Sequence, residues 1–91
     1  NLKPSQLEIN KIYPNPFNPV TSIDFSTATS EELSIGIYNL KGVEVLNLFK
    51  GYKNIGKHTI VWNSSGFSSG VYLLVIKQGR QAISRKVVYL K

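Results

Sequence analysis

His58 is the chain's only histidine and Asp24 its only aspartate, and there is no cysteine. Triad chemistry needs a hydroxyl or thiol nucleophile, an imidazole base and an acid that orients the base. Here the set would have to be a serine, His58 and Asp24. His58 falls in register with Ile60 and Trp62 along an alternating stretch, so it points inward with them and reads as a strand-end histidine at the core margin. Asp24 is outward-facing on an earlier strand. A transition-metal site needs three or four convergent ligands, and one His with five scattered carboxylates does not supply them. Glu31-Glu32 with loop carbonyls could hold calcium, but adjacent acids on a turn are ordinarily just solvated. Glycoside hydrolysis wants two carboxylates about 5–9.5 Å apart in a cleft, which so small a chain does not offer. Asn63-Ser64-Ser65 fits an N-glycosylation acceptor, a short and common pattern. No catalytic set, metal site or cofactor is expected, and the chain reads as a non-enzyme.

Aromatics offer a different chemistry. Tyr38, Tyr52, Tyr72 and Tyr89 could stack on sugar rings or bases. Tyr38 faces away from Ile35 and Ile37, and Tyr52 falls in a loop, so these two are the candidate ligand platform. The competing reading is that strands carry Tyr by propensity.

The elements that would position these groups are strands. Ile23 and Phe25 alternate with Ser22 and Asp24; Leu33, Ile35 and Ile37 with Ser34, Gly36 and Tyr38; Val43 and Val45 with Glu44; Ile60 and Trp62 with Thr59 and Val61. Period two predicts strands with one face inward. Val71 to Ile76 is apolar on both faces and belongs mid-sheet, with Ile83 to Leu90 as the last strand beside it. Trp62 is expected as a core plug. Pro14, Pro16 and Pro19 exclude a strand interior, because a ladder needs their missing N–H. Asn39-Leu40-Lys41-Gly42 and Lys77-Gln78-Gly79-Arg80 read as hairpin turns, Gly51 and Gly56 bracket a loop, and Asn63 to Gly70 is another. No window of helical length survives. About seven strands at this spacing predict an all-β, Ig-like antiparallel sandwich without the antibody-type disulfide.

Ninety-one residues make one domain. There is no Met, so the chain is expected to be a segment of a longer protein or a processed form. Residues 1–11 read as linker and start of domain, and 12–91 as the domain. No apolar run approaches the roughly 20 residues of a spanning helix, and no signal peptide is visible at the start. The net charge of +6 is uneven: residues 77–91 carry Lys77, Arg80, Arg85, Lys86 and Lys91 with no acid. A basic stretch can attract nucleic acid or anionic surfaces. The plainer reading is a wet strand face and edge whose cations discourage aggregation, without nucleic acid as a partner.

An ordered series of motifs resembles one family. It runs Tyr13-Pro14-Asn15-Pro16-Phe17-Asn18-Pro19, Thr21-x-Ile23-x-Phe25, Ile37-Tyr38-Asn39-Leu40-Lys41-Gly42-x-Glu44-Val45, His58-x-Ile60-x-Trp62, Ser69-Gly70-Val71-Tyr72 and Arg85-Lys86-Val87-Val88, with Lys91 at the end. It is similar to the type A C-terminal sorting domain of type IX secretion (the Por secretion tail) of Bacteroidetes, and to the Ig-like domain of the flagellar hook-capping protein. The resemblance implies a monomeric sorting signal joined to an upstream cargo domain. It implies recognition by the outer-membrane translocon and a sortase-like peptidase, with passage through the periplasm to the cell surface or medium. The implied recognition elements are Gly70, Val71 and Tyr72, with Lys86, Val87, Val88, Tyr89, Leu90 and Lys91. Cleavage would fall near Asn1-Leu2-Lys3-Pro4. Gly70 is expected to permit a close approach at the start of a central strand. The last strand is a candidate edge for strand addition. The alternative functions are a carbohydrate-binding module built on Tyr38 and Tyr52, and a structural accessory module of a secreted hydrolase.

Overall fold

Period-two alternation becomes two stacked sheets. In the computed structural model, which describes residues 6–91, the strands are β1 (Glu8–Tyr13), β2 (Val20–Thr27), β3 (Leu33–Tyr38), β4 (Glu44–Gly51), β5 (Gly56–Asn63), β6 (Gly70–Gln78) and β7 (Gln81–Tyr89). One sheet has the order β1-β2-β5 and the other β4-β3-β6-β7, with all strand pairs antiparallel. This is the predicted Ig-like sandwich. Its fourth strand pairs with β3 rather than with β5, unlike the constant-type immunoglobulin arrangement. The proposed cleavage stretch, Asn1 to Pro4, lies outside the described residues.

The inner faces supply one core. Ile23, Phe25 and Trp62 come from the three-stranded sheet, and Leu33, Ile35, Ile37, Leu74, Ile76 and Val87 from the other. Burying each such side chain contributes about 1.5–3 kcal/mol. β6 lies mid-sheet between β3 and β7, as its doubly apolar run predicts. Trp62 is the expected plug, within an aromatic cluster: its ring centroid is 5.2 Å from Phe17 and 5.6 Å from both Phe67 and Tyr72.

Turn chemistry closes the hairpins where predicted. The Gly42 amide donates to the Asn39 carbonyl at 3.0 Å, and Asn39 Oδ1 accepts from the amides of Lys41 and Val43. Gly79 and Arg80 form the two-residue loop between β6 and β7. Two side chains pin longer connections. Buried Gln78 donates from Nε2 to the carbonyls of Thr29 and Glu31, holding the β2–β3 loop against the sheet end. The Tyr72 hydroxyl donates to the Ser68 carbonyl four residues upstream, a device like the tyrosine corner of immunoglobulin domains.

Two expectations change. Val43 and Val45 do not face inward: both are exposed, and Val43 precedes the strand. Register shifts in the β3–β4 ladder lie between Ile35 and Gly36 and between Ile37 and Tyr38. Each inserts an extra β4 residue and re-aims the chain, so Leu46, Leu48 and Phe49 pack on the core instead. β1 is also a strand that alternation does not single out, and it carries buried Ile9 with buried Leu7 just ahead of it. Its own register shift between Ile9 and Lys11 breaks the period.

Replacing Trp62 by Ala is expected to cost about 3–5 kcal/mol in urea unfolding. The neighbouring exposed Val61→Ala should change stability by less than about 0.5 kcal/mol. Equal effects would refute the assignment of Trp62 as the core plug.

Candidate recognition surface

The basic last strand is fastened from outside its sheet. β7 pairs with β6 on one edge, from Gly70↔Tyr89 to Gln78↔Gln81. Its other edge is covered at Lys86–Leu90 by the proline-rich segment between β1 and β2. Asn15 Nδ2 donates to the Lys86 carbonyl (3.2 Å), and Asn15 Oδ1 accepts from the Val88 amide (2.9 Å). The Phe17 amide donates to the Val88 carbonyl, and the Leu90 amide donates to the Phe17 carbonyl, each at 3.0 Å. Prolines 14 and 16 have no amide to offer. The Asn15 side chain and the Phe17 backbone therefore do the pairing. Phe17 itself is buried, 5.5 Å from the Tyr89 ring centre. Strand addition at Lys86–Leu90 is thus closed off by the chain's own segment. Farther back along β7, the Arg85 guanidinium donates to the Ile9 carbonyl of β1 (3.0 Å).

The pleat sorts the candidate recognition residues. Tyr72, Val87 and Tyr89 point into the core. Lys86, Leu90 and Lys91 are exposed, and Gly70, Val71 and Val88 are half-buried. Val71 pairs with Val88, and Leu73 with Lys86, in adjacent rows on the sheet's outer face. The Lys91 amide donates to Ser69 Oγ at 3.0 Å, which holds the chain end beside the start of β6. Gly70 is not a point of close approach, because a Cβ there would meet nothing within 4 Å. What requires glycine is its φ of +155°, a conformation side chains rarely adopt.

Close approach occurs instead at Gly36, which the sequence reading does not single out. A Cβ there would meet the Glu44 carboxylate and come within 3.2 Å of the Tyr38 ring. Tyr38 therefore leans along the outer face over Gly36, and its hydroxyl accepts from Lys77 Nζ (3.3 Å). Tyr52 follows Gly51, which pairs with Leu33 at the opposite end of β3 from Tyr38. No aromatic contact joins Tyr38 and Tyr52 among the described residues. Tyr72 and Tyr89 are core residues, so they do not extend a platform.

His58 and Asp24 make separate local contacts. His58 shares an inward row with Phe25, their rings 5.5 Å apart, and its Nε2 is 2.6 Å from the Asn54 carbonyl. Asp24 sits in the next row and accepts from Thr59 Oγ1 at 2.7 Å, so it does not orient the imidazole. Glu31 Oε1 accepts from Thr29 Oγ1. Among the described residues, no group of three or more His, Cys, Asp or Glu converges as metal ligands. Among the described residues no helix is long and apolar enough to cross a membrane. In the Asn63-Ser64-Ser65 stretch, Ser64 is buried with its hydroxyl on the Pro19 carbonyl, and Asn63 Oδ1 accepts from the Ser65 amide.

Fold and surface together define an Ig-like β-sandwich module with a basic, externally fastened final strand. The chain belongs to the secretion system C-terminal sorting domain family, whose model matches residues 11–90. This is the sorting domain of type IX secretion, and the family is one of sorting signals rather than catalysts. Such a domain implies a larger cargo, the type IX machinery, and export to the cell surface or the medium. No curated protein and no solved structure matches the chain.

Removing the Asn15 side chain leaves the Val88 amide to solvent. Asn15→Ala is expected to cost about 1–2 kcal/mol. Exchange of the Val88 amide should accelerate roughly tenfold by hydrogen exchange, while Tyr89, paired with Gly70, stays protected. Unchanged Val88 protection would show that Asn15 does not hold this edge.

Proposed function

We propose that this domain is the non-catalytic export signal of a larger protein, read by the outer-membrane translocon of type IX secretion. A sortase-like peptidase then acts on the exported chain, whose cargo reaches the cell surface or the medium. The observation that carries this reading is the family match across residues 11–90. In this reading the proposed recognition residues divide the labour by their exposure. Lys86, Leu90 and Lys91, with Val71 and Val88 beside them, offer side chains to a receptor. Gly70, Tyr72, Val87 and Tyr89 set the backbone that presents them. A rigid handle suits a receptor, because ordering a loose chain end on binding would cost affinity. Fastening by Asn15 and Phe17 provides that rigidity.

The test is a fluorescent reporter with a signal peptide, fused ahead of residues 1–91 and expressed in a type IX-competent bacterium. The reporter is expected in the medium or on the surface. In a translocon-null strain it should accumulate in the periplasm. Retention in the periplasm of the competent strain, or equal export from both strains, would overturn the sorting reading.

A further inference from the structure

β6 has the composition of a strand covered on both sides, yet only one side is covered. Its inward residues Tyr72, Leu74 and Ile76 are buried in the core. Its outward residues Val71, Leu73 and Val75 remain half-buried on the outer face of the four-stranded sheet. The ladders extend this apolar strip. Val71 lies beside Val88, Leu73 lies between Tyr38 and Lys86, and Val75 lies between Gly36 and Ser84. The absence of a side chain at Gly36 lets the Tyr38 ring lie over the sheet and join the strip. In an ordinary wet sheet these positions alternate to polar residues.

Charge on this face is one-sided. Lys77 and Lys86 flank the strip, Lys50 shares the row of Ser34 and Lys77, and Glu44 is the one acid in these rows. The outer face of the three-stranded sheet serves as an internal comparison. There Glu8 and Asp24 balance Lys11 and Lys57, and Ser22 separates Tyr13 from Val61.

We infer that the outer face of the four-stranded sheet is a docking surface for a protein partner with an apolar centre and an acidic margin. The inference rests on the sorting reading and names the chemistry of the surface that reads the signal. Charge complementarity selects the occupant. A second copy packed face to face by a twofold axis would bring two faces of the same positive sign together. An anionic lipid surface fits less well. Insertion needs apolar side chains that project, whereas Leu73 and Val75 lie half-buried in the sheet and the Glu44 carboxylate sits over Gly36, the neighbour of Val75.

The experiment measures binding of the chain to detergent-purified type IX translocon, with two charge-reversal pairs of identical net-charge change. Lys77→Glu/Lys86→Glu alters the outer face of the four-stranded sheet, and Lys11→Glu/Lys57→Glu alters the opposite face. Leu73→Ser probes the apolar strip, with thermal melting as the check that each variant is folded. The first pair and Leu73→Ser should each weaken binding roughly tenfold or more, the second pair should not, and added salt should weaken the parent chain. Parent binding with equal effects of both pairs overturns the docking face and leaves the sorting reading standing. No binding by the parent chain overturns both. If, in a parallel assay with vesicles of anionic lipopolysaccharide, the first pair and Leu73→Ser weaken vesicle binding and leave translocon binding unchanged, the face belongs to a lipid surface and the protein partner is overturned. Dimerisation of the parent chain through this face, abolished by Leu73→Ser, would assign it to a second copy.

Discussion

Phe17 is the residue on which the fastening of the last strand depends. Its ring packs against Trp62 of the three-stranded sheet and Tyr89 of the four-stranded sheet, at 5.2 and 5.5 Å. One buried aromatic therefore bridges the two layers near the chain's last residues. Its burial brings the proline-rich segment against β7. The amide and carbonyl of Phe17 and the side chain of Asn15 then satisfy edge groups of Lys86, Val88 and Leu90. An exposed sheet edge is a template for unwanted pairing. Here the chain covers that edge with a segment whose prolines keep it from becoming a strand itself.

The same fastening gives the basic strand a fixed geometry. In the pleat, Val87 and Tyr89 commit to the core, so Lys86, Val88 and Leu90 must point elsewhere. A strand built this way has no freedom to bury its cations or to slip in register. A one-residue slip would pull Val87 and Tyr89 out of the core. The stability of the sandwich and the presentation of its outer residues are therefore one constraint.

The two outer faces differ in what they leave uncovered. The three-stranded sheet shows balanced charge, as a surface meant for water does. The four-stranded sheet shows an apolar strip with Tyr38 laid over Gly36 and lysines on both sides. β4 adds to the asymmetry, since its register shifts turn Val45 outward and leave Leu46, Leu48 and Phe49 only partly buried. Bulges on an edge strand also hinder further pairing there.

The all-β class, the strands from β2 onward, both hairpin turns, the Trp62 plug and the mid-sheet place of β6 were legible in the residues alone. Those features follow from period-two alternation, turn residues and local apolar content, all written within a few neighbouring residues. The order of the motifs also made the family resemblance legible. Packing turned Val43 and Val45 outward, because register shifts are set by the partner strand. It decided that Gly70 answers a backbone angle while Gly36 answers a close approach. It separated the stretch proposed for recognition into core and surface residues and set Tyr38 and Tyr52 at opposite ends of β3. Above all it joined Asn15 to Lys86 and Val88, across 71 and 73 positions of chain. No local pattern encodes such a contact, because its energy exists only once both sheets have packed around Phe17.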